Sequence, residues 1–279
     1  VKKNYGTIYS LPLSVWLAFF FIGPTLIIFL YSFLKKSPFG GVERSFSLDA
    51  FAFLFNPTVL QIAWMTLYIS IAVAVITLFL ALPTAYFMAK SRYKDSLLLF
   101  IIIPFWVNFL IRIYAWIAIL GNNGFINNFL IQTGLVSDNF QFLYNPYAVV
   151  LITVYTYLPY AILPLYSTIE KFDFGLLEAS KDLGATHFQG LKKIFIPGIK
   201  SGIYTAFLFT FIPALGSYAV PQLVGGTSSM MLGNVIAREI IITRNFPLAS
   251  AISLILSLLT IIGILVFMKK NENEKKAVK

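Results

Sequence analysis

Six long apolar stretches alternate with polar segments along the 279 residues, at about 10–34, 60–89, 97–120, 146–169, 199–224 and 246–268. Each matches or exceeds the ~20 residues that an α-helix needs to cross a bilayer core. The pattern predicts an all-α, polytopic membrane protein of six transmembrane helices forming one domain over residues 1–279. The first stretch is too long for a secretory leader and lacks a small-residue cleavage site, so it reads as a span. Between the spans, 35–59 reads as a hydrophilic loop, 125–145 as a short surface helix with a loop, and 229–242 as an amphipathic surface segment.

The longest polar interruption, 170–200, does not read as a floppy loop. Asp173 can cap a short helix running to about Leu183, and Gly184 suits the left-handed position just past its end. Thr186 and Gln189 have the spacing of a capping box, which opens a second short helix that Pro197 closes. Two capped helices around a Gly-Ala turn make a rigid knob, a feature that a partner can grip.

Composition excludes several chemistries. There is no Cys and one His, His187, so thiolate metal sites, disulfides, cysteine nucleophiles and histidine clusters are all absent from the sequence. No phosphate-cradling Gly-x-x-x-x-Gly-Lys-[Ser/Thr] run occurs, so the chain binds no ATP by that loop. The net charge of +10 invites a nucleic-acid reading, but the basic residues sit at span ends. With six spans and cytoplasmic termini, fifteen Lys and Arg face the cytosol: Lys2, Lys3, those in 90–96 and 170–200, and the tail. Only Lys35, Lys36, Arg44, Arg238 and Arg244 face outward, so the positive-inside bias places the knob in the cytosol and no nucleic-acid partner is called for.

All eleven acidic residues fall in loops or at span ends, which leaves no candidate intramembrane proton relay. Energy therefore has to come from outside the chain, and the knob is its natural entry point. Arg112 is the one charge within a span; it either pairs with Glu239 as a gate or snorkels to the outer interface. Aromatics beside helix breakers, in Pro104-Phe-Trp106, Tyr114-Ala-Trp116, Tyr155-Thr-Tyr-Leu-Pro-Tyr160 and Gly216-Ser-Tyr218, could line a path for an organic cation. The candidate path residues are Trp106, Asn108, Tyr114, Tyr157, Tyr160 and Tyr218; packing between helices is the competing role for each. Gly198 and Gly202, and the series Ala249, Ser253 and Ser257, would let helices approach closely.

Glu178-Ala179-Ser180, Gly184 and Ile196-Pro197 resemble the Glu-Ala-Ala…Gly…Ile-x-Leu-Pro signature of bacterial ABC-importer permeases. Ser180 replaces the usual Ala, and Phe195-Ile196-Pro197 stands where Leu-Pro is usual. Pro104-Phe-Trp-Val-Asn108, Leu110-Ile-Arg-Ile-Tyr-Ala-Trp116, Leu120-Gly-Asn-Asn-Gly-Phe-Ile-Asn127 and Gly216-Ser-Tyr-Ala-Val-Pro-Gln-Leu-Val-Gly-Gly226 further resemble the permeases of spermidine/putrescine importers. The resemblance implies a type I importer fold in which 170–198 is a coupling loop gripped through Glu178, Ala179, Ser180, Gly184 and Pro197. It also implies a multi-pass subunit of a bacterial inner or plasma membrane with no catalysis of its own, ATP and Mg being held by the partner. The implied partners are a sister permease, a dimeric cytoplasmic ATPase and an extracytoplasmic binding protein. Permeases for iron, sulfate or phosphonate compounds share much of this pattern, and a secondary carrier, a membrane-embedded enzyme and a scaffold are rival classes.

Overall fold

The computed structural model describes residues 5–277. Helix α1 (Tyr5–Ser32) leads into a hairpin of β1 (Leu34–Lys36) and β2 (Val42–Phe46), then α2 (Asp49–Phe53) and α3 (Pro57–Lys90). Next come α4 (Lys94–Ile102), α5 (Phe109–Leu120), α6 (Phe125–Gln132) and α7 (Pro146–Ile169). The knob holds α8 (Gly175–Asp182), α9 (His187–Gly190), a π-helical stretch Leu191–Phe195 and α10 (Ile196–Gly198). The chain continues through α11 (Lys200–Leu215), α12 (Ala219–Val224), α13 (Leu232–Ile241) and α14 (Phe246–Ala277).

Among the described residues, five segments are long and apolar enough to cross a membrane: Tyr9–Ser32, Pro57–Lys90, Phe109–Gln132, Pro146–Ile169 and Phe246–Leu265. A sixth arises if His187–Gly198 and Lys200–Leu215, bent by 68°, count as one. Counted that way the number agrees with the sequence pattern, but two boundaries change. The expected third span, 97–120, is broken: α4 stops at Ile102, Ile103–Trp106 form a 3-10 turn, and α5 restarts at Phe109. Pro104 lacks the N–H that would continue the helix, and Asn108 caps the restart by accepting from the Leu110 N–H at 2.9 Å. The expected fifth span, 199–224, is interrupted after Leu215. By contrast Pro159 and Pro164 leave α7 unbroken, so those two prolines do not act as the breakers the sequence suggests.

The chain forms two compact units. In the unit of Val1–Gln61 and Val235–Ile261, the expected loop 35–59 contains the hairpin, whose strands pair antiparallel with Lys35 opposite Glu43. Its turn uses Gly40 and Gly41 at φ +86 and +92, and the Gly41 N–H donates to the Arg244 carbonyl at 2.8 Å. Phe33 stacks on Phe46 and tilts against Phe51, which seats α2 under the hairpin.

The unit of Ile62–Asn234 and Ile262–Lys279 is organised on α7, which packs along α11. Gly202 permits this contact, because a Cβ there would lie 2.6 Å from Thr168 Oγ1. Gly198 likewise faces the Phe172 ring, with 2.5 Å available to a Cβ. Both glycines of the expected close-approach pair therefore serve internal packing. One apolar core joins Ile69, Val73, Ile113, Val149, Ile152 and Val220; another, next to the knob, joins Met88, Leu165, Ile169, Phe195 and Ile199. Two buried hydroxyls on α3 are satisfied along their own helix, Thr66 donating to the Ile62 carbonyl and Ser70 to the Thr66 carbonyl, each at 2.7 Å, whereas the buried Thr77 Oγ1 has no partner.

Candidate functional site

The knob forms as its capping residues require, with adjustments. Asp173 Oδ1 accepts from the Gly175 N–H at 2.9 Å, although Phe174 occupies the N-cap position itself. At the other end of α8, Gly184 has φ +84. The Gly184 N–H donates to the Lys181 carbonyl at 2.8 Å and the Ala185 N–H to the Ser180 carbonyl at 3.0 Å. These two bonds are a Schellman motif, which needs the left-handed residue that glycine supplies cheaply. The capping box of α9 is complete: Gln189 N–H donates to Thr186 Oγ1 at 3.3 Å, and Thr186 N–H donates to Gln189 Oε1 at 3.0 Å. Pro197 does not stop the helix at once. The chain passes through it in α10 and turns at Ile199, with the π-helical stretch just upstream.

Two anchors fix the knob to the rest of its unit. Phe195 is fully buried, with its ring centroid 5.1 Å from Tyr86 and 5.2 Å from Phe172. Lys90, the last residue of α3, places its ammonium 4.9 Å from the Tyr86 ring and 4.7 Å from that of Phe174. The two knob helices meet at Gly190, where an added Cβ would lie 3.1 Å from Ser180 Oγ. Ser180 is buried and donates to the Leu177 carbonyl at 2.8 Å. Ser180 thus sits where α8 packs on α9.

The outward face of the knob carries Glu178, in the first turn of α8, where a carboxylate is favoured by the helix dipole. Ala179, Gly184 and Pro197 are exposed as well. Leu176 is half exposed, Leu183 is 90% and Phe188 71% exposed. These three apolar side chains were missed in the sequence because single apolar residues in a polar segment carry no period. Only their common exposure on two capped helices singles them out.

At the edge of the knob, Lys94 Nζ donates to Glu170 Oε1 at 2.7 Å, and Tyr166 Oη donates to the same oxygen at 3.0 Å. The hydrogen bond from Lys94 holds the Glu170 carboxyl below its ordinary range, with Tyr166 adding to the effect. The same bond raises the Lys94 ammonium above its ordinary value. This pair joins the start of α4 to the residue after α7, three residues before Asp173.

The path candidates divide into two groups. Tyr157 and Tyr160 are edge-to-face at 5.9 Å, and Phe105 packs on Tyr160 at 5.0 Å. Tyr157 Oη donates to the Pro213 carbonyl at 3.3 Å, beside the break that leads to Tyr218. Trp106, on the 3-10 turn, is 86% exposed, and Tyr114 on α5 is exposed; Asn108 is the cap described above. Tyr157 and Tyr160 are thereby tied to the α11 break, and Trp106 and Tyr114 stand apart from that ring cluster.

Arg112 is partly buried, with its guanidinium 5.9 Å from the Phe109 ring and its Nε buried without a hydrogen-bond partner. Glu239 is buried, at 5% exposure, and accepts from Arg238 Nη2 at 3.0 Å and Thr243 Oγ1 at 2.6 Å. Glu239 is thus already engaged on its own stretch of chain. Among the described residues no group of His, Cys, Asp or Glu has the arrangement of a metal site.

Residues 74–269 match the family described as binding-protein-dependent transport system inner membrane component, and the chain belongs to that family. Within it, the spermidine/putrescine transport system permease protein PotB of Haemophilus influenzae is 38% identical over 259 residues, covering 92% of this chain and 91% of that protein. PotB of Escherichia coli K12 is 35% identical over 265 residues, covering 94% and 96%. The fold is shared with a solved bacterial alginate ABC transporter in complex with an alginate pentasaccharide-bound periplasmic protein: TM-score 0.72 at 17% identity, over 95% of this chain and 93% of that one.

Proposed function

We propose that the chain is the permease subunit of an ATP-driven importer for polyamines of the spermidine/putrescine class, and that both units act as one domain forming half of the pore. The observation that carries the reading is the knob. It is rigid at both helix ends, carries Glu178 and three exposed apolar side chains, and lies in a chain without an ATP-binding loop of its own. The cargo rests on the names of the PotB relatives, which align over most of both chains.

In this reading the termini and knob face the cytoplasm of a bacterial cell. A dimeric ATPase, holding ATP and Mg, grips the knob through Glu178, Ala179 and the apolar rim, while Ser180, Gly184 and Pro197 keep the knob in shape. A sister permease completes the pore, and an extracytoplasmic binding protein delivers cargo. ATP binding draws the two knobs together and opens the pore outward. The cargo then passes Trp106, Asn108, Tyr114, Tyr157, Tyr160 and Tyr218; the ring faces of the Trp and the four Tyr attract an ammonium by about 0.5–2 kcal/mol each, enough to guide a cation and too little to trap it. Arg112 acts as a gate charge within its span.

Vesicles holding the full complex test the reading: spermidine with its binding protein should stimulate ATP hydrolysis, and uptake should survive collapse of the ion gradients. Uptake that persists without ATP and follows an ion gradient would refute it. Stimulation by iron, sulfate or phosphonate compounds in place of spermidine would keep the importer and replace the cargo.

A further inference from the structure

The break after α11 is held by residues that the reading above does not use. Helix α11 ends at Leu215, Tyr218 has the non-helical angles φ −131 and ψ −42, and α12 restarts at Ala219. The segment 231–234 lies against this break. A Cβ at Gly233 would lie 2.5 Å from the Ser217 carbonyl oxygen, so the backbones approach as closely as a glycine permits. The Leu232 N–H donates to Thr66 Oγ1 of α3 at 2.9 Å, and the Met231 N–H donates to Asn234 Oδ1 at 3.1 Å.

Asn234 is the centre of the arrangement. It is 6% exposed, and its Nδ2 donates both to the Tyr218 carbonyl and to Gln222 Oε1, each at 3.0 Å. Every polar atom of its amide therefore has a partner, which is what a buried amide requires. Tyr218 and Gln222 are four residues apart, bonded by the Gln222 N–H to the Tyr218 carbonyl at 3.0 Å. That bond closes the first turn of α12 and holds the two residues one turn apart. Both are exposed, and the same buried residue holds the backbone carbonyl of Tyr218 and the side-chain oxygen of Gln222.

We propose that Asn234 is a positioning residue which fixes the Tyr218–Gln222 pair, and that Gln222 is a specificity residue beside Tyr218 for an ammonium-bearing cargo. The proposal rests on the importer reading for its cargo but not for its geometry. A ring alone accepts any cation of suitable size; an amide at a fixed offset adds a directional contact that depends on where the next polar group of the cargo lies. Spacing between charges is what distinguishes one polyamine from another. Loss of Asn234 frees the Tyr218 backbone and the Gln222 amide and so blurs that spacing.

The test uses the assembled complex in vesicles and has two arms. The chain contains no cysteine, so Tyr218→Cys provides a single thiol whose modification by a positively charged methanethiosulfonate can be timed without any cargo. Asn234→Leu should change that rate about fivefold, the effect of losing a hydrogen bond that fixes the segment, while a thiol at the exposed Phe39 is unaffected. An unchanged rate at position 218 overturns the positioning role. In the second arm, Gln222→Leu and Asn234→Leu should each raise the KM for spermidine-stimulated ATP hydrolysis about fivefold with kcat little altered. The double variant should be no worse than either single one. Additive effects, or a fall in kcat alone, overturn the proposal. If Asn234→Leu fails to assemble, the exposed Gln222→Leu decides, since an unchanged KM there removes the specificity role. If spermidine does not stimulate the unaltered complex, the polyamine reading fails and the thiol arm alone decides the positioning role.

Discussion

Gly184 provides the sharpest perturbation of the knob, because the reason for its conservation of shape is backbone and not space. Its φ is +84, yet nothing lies within 4 Å of where a Cβ would be built. A side chain there meets no steric neighbour, and its whole cost is the left-handed conformation, roughly 1–2 kcal/mol for an L-residue. Asn tolerates that conformation far better than other side chains. The order Gly, Asn, Ala, Val should therefore describe declining coupling, with Gly184→Asn near the parent. Gly184→Ala should shift the balance between the Schellman turn and alternative conformations by about 5- to 30-fold. Binding-protein-stimulated ATP hydrolysis in vesicles reads coupling, and limited proteolysis between Leu183 and Ala185 reads the turn itself. Both should follow the same order while membrane insertion stays constant. An Asn variant as defective as Val would refute the backbone argument, because it would mean that the surface at position 184 matters and its φ does not.

Other substitutions probe separate contacts. Gly190→Val pushes a side chain toward Ser180 Oγ, 3.1 Å from the first added carbon; it should separate α8 from α9 and uncouple ATP hydrolysis, with partial recovery in Ser180→Gly. Gly202→Leu should lower the thermal stability of the detergent-purified complex by the ~1–3 kcal/mol typical of overpacking, and Thr168→Gly, which removes the colliding Oγ1, Cβ and Cγ2, should restore part of it. The Lys94–Glu170 pair has a defined pH window. Glu170 has a lowered pKa, so its contribution is present above the ordinary 4.5 and is lost only as pH falls through the lowered value. Lys94 has a raised pKa, so its contribution is full below the ordinary 10.5 and is lost only as pH rises through the raised value. The ratio of stimulated ATP hydrolysis between the parent and Glu170→Gln should stay constant from pH 6 to pH 9, a range lying inside these limits. A ratio that drifts across that range would show that a group other than the Lys94–Glu170 pair governs the effect.

Much of this fold was legible because membrane crossing imposes a long, coarse period that survives local irregularity. The six apolar stretches and the knob between the fourth and fifth follow directly from it. The caps were legible for a different reason: Thr186 with Gln189, and Gly184 after Leu183, are short-range devices whose chemistry lies within four residues. Breaks were harder to read. Pro104 ends a helix whereas Pro159 and Pro164 do not, since proline removes one donor and the outcome depends on whether the surrounding segments tolerate the freed carbonyl. The hairpin in 34–46 escaped because its five-residue strand and three-residue strand are too short to show alternation. Asn234 escaped for a related reason: its partners at 218 and 222 are distant in sequence, and an amide in an amphipathic segment looks like surface.

The central claim is that the knob between α7 and α11 is the contact through which a cytoplasmic ATPase drives this subunit. Leu183, 90% exposed at the knob's tip, can be replaced by the chain's only cysteine and cross-linked in the assembled complex. The account requires a short thiol cross-linker to join Leu183→Cys to the ATPase, with a yield that changes between nucleotide-free and ATP-bound states. Phe39→Cys, on the hairpin, should not join it under either condition. A cross-link from Phe39→Cys and none from Leu183→Cys would contradict the account.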